Sequence, residues 1–200
     1  MSVTAPTTMV EQLARFVTEA RWENVSAASQ EALKKRVLDG LGCGYGALAA
    51  KPIRAIRAHT EDFGGKPLAT LLGGGSSSPD RATFHNGAAI RYLDYNDAFL
   101  GRGEACHPSD NLPPVLAAAE YAGASGAELL TALAVAYQVQ IRLSQVAPVR
   151  GRGFDHSTQG TYAAAAGVAK DLGTAAERTA NASAISGAGS QARRVTRTGG

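Results

Sequence analysis

Between Thr8 and Ile185 the apolar residues recur at intervals of three and four, and capping residues, prolines and glycines mark where each such segment starts and stops. A helix with one apolar stripe must bury it against a neighbour, so this periodicity limits the fold more than any other feature of the chain. Thr8-Met9-Val10-Glu11 has the pattern of a capping box, and Leu13, Phe16 and Val17 follow at helical spacing; a first helix is predicted from about Thr8 to Arg21. Ser26 caps a longer pattern through Leu33, Val37, Leu38 and Leu41 that runs into Gly40, Gly42, Gly44 and Gly46. Pro52 starts a third helix (Ile53, Ile56, His59, Phe63), ended by Gly64-Gly65. Pro67 to Leu72 is expected as one short strand and Gly73 to Ser78 as a flexible connector. Ser78-Pro79-Asp80 opens the next helix, which carries His85 and delivers the chain to Asp94. Pro113-Pro114 starts another. Ser125-Gly-Ala-Glu128, a second capping box, heads a strongly apolar helix to Leu143 in which Gln138 and Arg142 are polar, and Pro148 stops it. Helices from Thr158 to Leu172 and from a Thr174–Glu177 cap through Ile185 complete the pattern. The fold class expected is all-α, a multi-helix bundle; abundant Ala and Gly with few aromatics suit closely packed helices.

At 200 residues the chain is long enough for one domain with a sizeable core, or at most two small ones. The formal charge of +3 is spread through the helical segments, its only cluster being Arg193, Arg194 and Arg197, and no nucleic-acid-reading motif is present. No nucleic-acid partner is expected. Two cysteines, Cys43 and Cys106, set no disulfide framework, MSVTAPTTM lacks the features of a signal peptide, and no uncharged apolar run reaches membrane-spanning length. A cytoplasmic protein with no membrane partner is predicted. Gly42-x-Gly44-x-x-Ala47 fits the loosest dinucleotide fingerprint, with Glu61 and Asp62 about 20 residues on. What precedes it, Glu31 to Asp39, has helical period and too much charge for a buried strand, so the glycines are read as a helix face that lets a neighbour approach closely.

Two polar islands interrupt the helices. The first, Tyr92 to Glu120, holds Asp94, Asn96, Asp97, Glu104, His107, Ser109, Asp110 and Asn111; the second, Val149 to Gln159, has Asp155 and His156 at its tip. Histidine titrates near neutrality and an adjacent carboxylate can orient the ring, so Asp94/Asp97 with His107, and Asp155 with His156, suit elimination, isomerisation or epimerisation beside a carboxylate. No CxxC, HxxxH or HExxH spacing supports a metal, and none is expected. Cys106 and His107 are neighbours whose side chains diverge in an extended loop, which argues against a nucleophilic pair. There is no G-x-S-x-G elbow and no P-loop.

The strings RYLDYND, HPSDNLPPVLAAAEYAGASG, RGFDHSTQGTYAAAAGVAKDLG and ARRVTRTG, in that order, closely resemble the MmgE/PrpD family, which includes 2-methylcitrate dehydratase. The resemblance implies a cofactor-independent enzyme acting on a small di- or tricarboxylate, built from a large helical domain and a smaller α+β lid, commonly as a homodimer. By resemblance the active-site aspartate falls on Asp94 and the two histidines on His107 and His156, with Asp97, Ser109 and Arg194 as substrate contacts; one histidine acts as acid or base, with Asp94 orienting it. A threonine found in some members is Ala98 here. Family chains continue past RTG into a segment bearing a substrate-facing lysine and then into the lid. Residues 8–200 are therefore expected to be the N-terminal helical domain, after a disordered start at 1–7, with a separate lid polypeptide as a partner. The function expected is a lyase of the 2-methylcitrate dehydratase type; an epimerase or decarboxylase of the same family, or an inert helical domain, are the alternatives.

Overall fold

A computed structural model describes residues 7–101, 103–189 and 191–195 and shows eight α-helices with two minimal hairpins, the all-α class expected. The helices are α1 (Met9–Glu19), α2 (Ala27–Ala47), α3 (Lys51–Phe63), α4 (Pro79–Tyr92), α5 (Leu112–Ala122), α6 (Gly126–Val146), α7 (Ser157–Asp171) and α8 (Ala176–Gly189). Both capping boxes form: Thr8 and Glu11 bond reciprocally at the start of α1, and Ser125 and Glu128 at the start of α6. Ser26 caps α2, and a proline sits in the first turn of α3, α4 and α5. The expected disordered start lies, Thr7 apart, outside the described residues, as does Arg197.

The core is built around α5. Leu112 and Val115 pack with Leu33 of α2, Ile90 of α4 and Leu133 of α6, while Val17, Val135, Val139, Ala163 and Ala166 join α1, α6 and α7. The glycine run of α2 lies inside the helix. A Cβ on Gly44 would stand 2.5 Å from Leu72 Cδ1 and 3.1 Å from Ile90 Cγ1, so α4 crosses α2 where only hydrogen fits.

Three local expectations need correction. The strand is only β1 (Ala69–Thr70), and the supposed connector turns back as β2 (Ser76–Ser77) in an antiparallel hairpin. Leu71 N donates to Gly75 O, and Asn86 pins the hairpin by accepting from Leu72 N and donating to Thr70 O. Thr174 does not form a capping box; its hydroxyl bonds Ala169 O and Thr179 Oγ1, and α8 runs past Ile185 to Gly189. Gln138 and Arg142 are exposed, and the polar face of α6 that matters is Tyr137, Gln140 and Ser144. Among the described residues no helix is long and apolar enough to cross a membrane.

Candidate active site

At the end of α4 the chain turns through Asp94, whose φ of +56° lies in the left-handed region that Asp tolerates better than most residues. The turn sends Asn96 and Asp97 back towards the bundle. A second hairpin, β3 (Phe99–Leu100) with β4 (Ala105–Cys106), then returns the chain to His107, and a short 3₁₀ turn over Pro108–Asn111 feeds α5. His107 Nδ1 lies 2.8 Å from Asp97 O. A carbonyl only accepts, so Nδ1 carries the proton and Nε2 presents a lone pair. That lone pair faces Arg91 Nη2 at 3.2 Å. The same guanidinium donates to Asp94 Oδ1 at 2.5 Å and to Asn96 Oδ1 at 3.4 Å, and its Nε is 3.9 Å from Asp110 Oδ1. Arg91, in the last turn of α4, is the hub of the first island.

Beneath this layer the polar groups satisfy one another. Asp97 accepts from Ser109 N through Oδ1 and from the Tyr137 hydroxyl through Oδ2, each at 2.9 Å. Burial first, and the Asp97 carboxylate second, push the Tyr137 hydroxyl up, so it stays a donor. Asn96 Nδ2 donates to Ser109 Oγ at 2.9 Å, Asn111 Nδ2 to Gln140 Oε1 at 2.5 Å, and Ser144 Oγ to Gln159 Oε1 at 3.2 Å. Tyr137, Gln140 and Ser144 are spaced three and four residues apart on α6, so one helix face supports both islands. Asp110 keeps 35% of its side chain open to solvent but is enclosed on its other sides; desolvation raises its carboxyl to about 6, against the pull of Arg91 and His107.

His156 comes from the turn before α7. Its Nδ1 is 3.1 Å from Asp155 Oδ1, and both side chains are buried. Residues 191–195 run beside this turn: Asp155 N donates to Ala192 O and Arg194 N to Gly153 O, each at 2.9 Å, with a β-bridge between Phe154 and Arg193. The rings of His107 and His156 meet edge to face, centroids 5.6 Å apart.

The chain thus brings His107 and His156 together and sets Arg194 in the segment that runs beside the His156 turn. Asp94, 71% exposed at its side chain, connects with His107 through Arg91, and the hydrogen bonds that hold the ring come from the Asp97 carbonyl and Arg91. The Asp97 carboxylate and Ser109 face inward, towards Tyr137 and Asn96. His85 is buried against Asn86, His59 bonds Arg81 at the surface, and Cys43 and Cys106 are buried free thiols. Among the described residues no three His, Cys, Asp or Glu side chains are grouped to hold a metal. Sequence reasoning missed Arg91, Tyr137 and Gln140. Only Arg91 carried a local signal, its i,i+3 spacing to Asp94 at a helix C-terminus. Two proton-transfer groups, an arginine already among carboxylates and a buried polar support make an arrangement suited to acid–base chemistry on an anion.

The profile of the MmgE/PrpD N-terminal domain matches residues 11–200. The chain is 30% identical over 210 residues to the 2-methylcitrate dehydratase of Cupriavidus necator, covering 96% of this chain and 42% of that protein. It is 32% identical over 173 residues to the 2-methylcitrate dehydratase of Escherichia coli K12, covering 80% and 36%. With the cis-aconitate decarboxylase of Mus musculus it shares 30% over 163 residues, covering 76% and 33%. The chain therefore spans between about a third and two fifths of the length of these relatives.

Proposed function

This chain belongs to the MmgE/PrpD family, and on that premise we propose that it carries the proton-transfer half of a cofactor-independent lyase of the 2-methylcitrate dehydratase type. The observation that carries the reading is the meeting of His107 and His156 beside Arg91. Loss of water from a β-hydroxy acid needs a base to take the proton from carbon and an acid to protonate the departing hydroxyl. The Asp155 carboxylate, 3.1 Å from Nδ1, orients the His156 ring, and in this reading His156 is the donor to the leaving hydroxyl. His107, in its Nδ1–H form, offers Nε2 as the base. In the free site Nε2 is held by Arg91, and a substrate carboxylate, a stronger acceptor for a guanidinium than an imidazole is, draws Arg91 away and frees it. Asp94 and Asp110 keep Arg91 in place until then. In this reading residues 8–200 are the helical domain, a lid polypeptide completes the site and excludes water, and the enzyme works as a homodimer in the cytoplasm.

The similarity to a cis-aconitate decarboxylase favours a second reading, in which the same donor protonates carbon after loss of carbon dioxide. The two separate by substrate. 2-Methylcitrate is added to the folded chain, alone and with a lid-domain polypeptide, and the ultraviolet absorbance of the conjugated alkene is followed; cis-aconitate is run in parallel. Turnover of 2-methylcitrate that falls by at least about 10²-fold in His107→Ala, with helicity intact, supports the dehydratase. Turnover of cis-aconitate alone moves the assignment to the decarboxylase, and silence with both overturns the enzyme reading.

A further inference from the structure

Glu104, in the first island, takes no part in those proton transfers, yet its side chain is wholly buried, 0% exposed, against the second. It ends the turn of the β3–β4 hairpin, where its own carbonyl accepts from Gly101 N at 2.8 Å. Its Oε2 crosses to residues 45 and 46 positions away, accepting from Val149 N at 2.6 Å and Arg150 N at 3.2 Å. Its Oε1 is 3.8 Å from Arg150 Nε and, among the described residues, accepts no hydrogen bond. Burying a carboxylate carries a desolvation cost that an apolar side chain filling the same space avoids. What an apolar side chain cannot do is satisfy two converging backbone N–H groups, which fixes the turn in one orientation.

That orientation matters on both sides of the contact. His107 follows Glu104 by one strand, and on the other side the 3₁₀ turn over Arg150–Arg152 passes directly into Phe154, Asp155 and His156. Gly153 O and Asp155 N in turn hold the segment that bears Arg194. No other side-chain hydrogen bond between described residues joins the hairpin to this turn.

We propose that Glu104 is a positioning residue: its carboxylate clasps the β3–β4 hairpin to the 149–153 turn and so sets the separation of His107 and His156. The inference rests on reading those histidines as the acid–base pair, because only then does their separation govern a reaction. A donor and an acceptor that must engage adjacent substrate atoms lose on the order of 10²-fold in rate when displaced by about 1 Å.

The test reads the separation itself. At 5.6 Å between centroids, the edge protons of the two rings are within reach of a nuclear Overhauser cross-peak, and His107→Ala and His156→Ala assign the signals. Glu104→Ala is expected to lose the cross-peak while its far-ultraviolet circular dichroism stays that of the parent. Glu104→Gln, whose amide oxygen still accepts from both N–H groups, is expected to keep it. A cross-peak that survives in Glu104→Ala overturns the proposal, as does one lost equally in both variants. If Glu104→Ala does not fold, amide exchange in the parent chain decides: the Val149 and Arg150 amides should exchange at least about 10²-fold more slowly than an exposed loop amide, and unprotected exchange rejects the clasp. Neither readout needs turnover. An inert chain with the cross-peak pattern intact leaves the clasp standing and removes only the enzyme reading, and a failed clasp leaves the acid–base reading untouched.

Discussion

Arg91 and Asp171 are charged groups treated in opposite ways. Arg91 gathers two carboxylates, an amide oxygen and an imidazole around one guanidinium, so its place is fixed before any ligand arrives. Asp171, at the end of α7, has both carboxylate oxygens buried with no hydrogen-bond donor among the described residues. It also sits at the negative end of a helix dipole. Desolvation first, and the neighbouring Glu128 second, raise its carboxyl from 3.8 to about 7, against the pull of Lys170. The folded chain therefore holds a proton on Asp171 that the unfolded chain releases near pH 4. Stability from this group is full below that pH and is lost as pH rises to about 7. Asp171→Asn is expected to stabilise the chain by about 1 kcal/mol at pH 8, where an uncompensated charge is removed, and to change little at pH 4. Some slope will remain because Asp110 is raised to about 6. Urea unfolding at pH 4, 6 and 8 decides; equal effects of the substitution at all three would show that Asp171 is not the group responsible.

The helices make a sharper point about glycine, because the same change should have opposite signs in two of them. In α7, a Cβ on Gly167 would lie 2.6 Å from Val115 Cγ2, 3.1 Å from Ala136 Cβ and 3.2 Å from the Ala132 carbonyl oxygen. In α2, a Cβ on Gly42 meets nothing within 4 Å. Alanine is the better helix former by about 1 kcal/mol, and overpacking a tight contact costs about 1–3 kcal/mol. Gly167→Ala is therefore expected to destabilise by about 1–2 kcal/mol and Gly42→Ala to stabilise by about 0.5–1 kcal/mol, measured as shifts of the urea midpoint at constant slope. A stabilising Gly167→Ala would mean that α5, α6 and α7 pack less tightly than the geometry shows. The helices were legible in the sequence because their signals are local: Thr8 with Glu11, Ser125 with Glu128, and a proline in the first turn of three others. Thr174 misled because a threonine hydroxyl can bond the preceding helix as readily as cap the next. The second hairpin, Tyr137 and Gln140 were not legible, since their partners lie on other elements and no short-range pattern announces such a contact. Asp97 shows the same limit. Its position in LDYND marks an acidic loop, but only the fold turns its carboxylate to Tyr137 and its carbonyl to His107.

The first and last helices are packed against each other, and this decides how the molecule should come apart. α1 lies on α7 and α8, and Lys170 of α7 donates to Thr18 O at 3.3 Å and to Ala20 O at 2.7 Å, capping the last turn of α1 from 150 residues away. α2 packs on α4, α4 on α5, and α5 on α6 and α7, so the apolar contacts run from α1 to α8 without a seam among the described residues. Unfolding is then expected to be one cooperative transition. The single tryptophan, Trp22, reports on the turn between α1 and α2, where its carbonyl accepts from Gln30 Nε2, while circular dichroism at 222 nm reports on all helices together. The two probes should give superimposable urea curves. If the function proposed above holds, a small tricarboxylate should move both curves by the same amount, about 2.7 kcal/mol at a concentration of one hundred times its Kd. If Trp22 instead changes at lower urea than the helical signal, α1 and α2 form a unit that opens alone. The site would then be carried by α4 to α8, and a ligand would shift only the later transition.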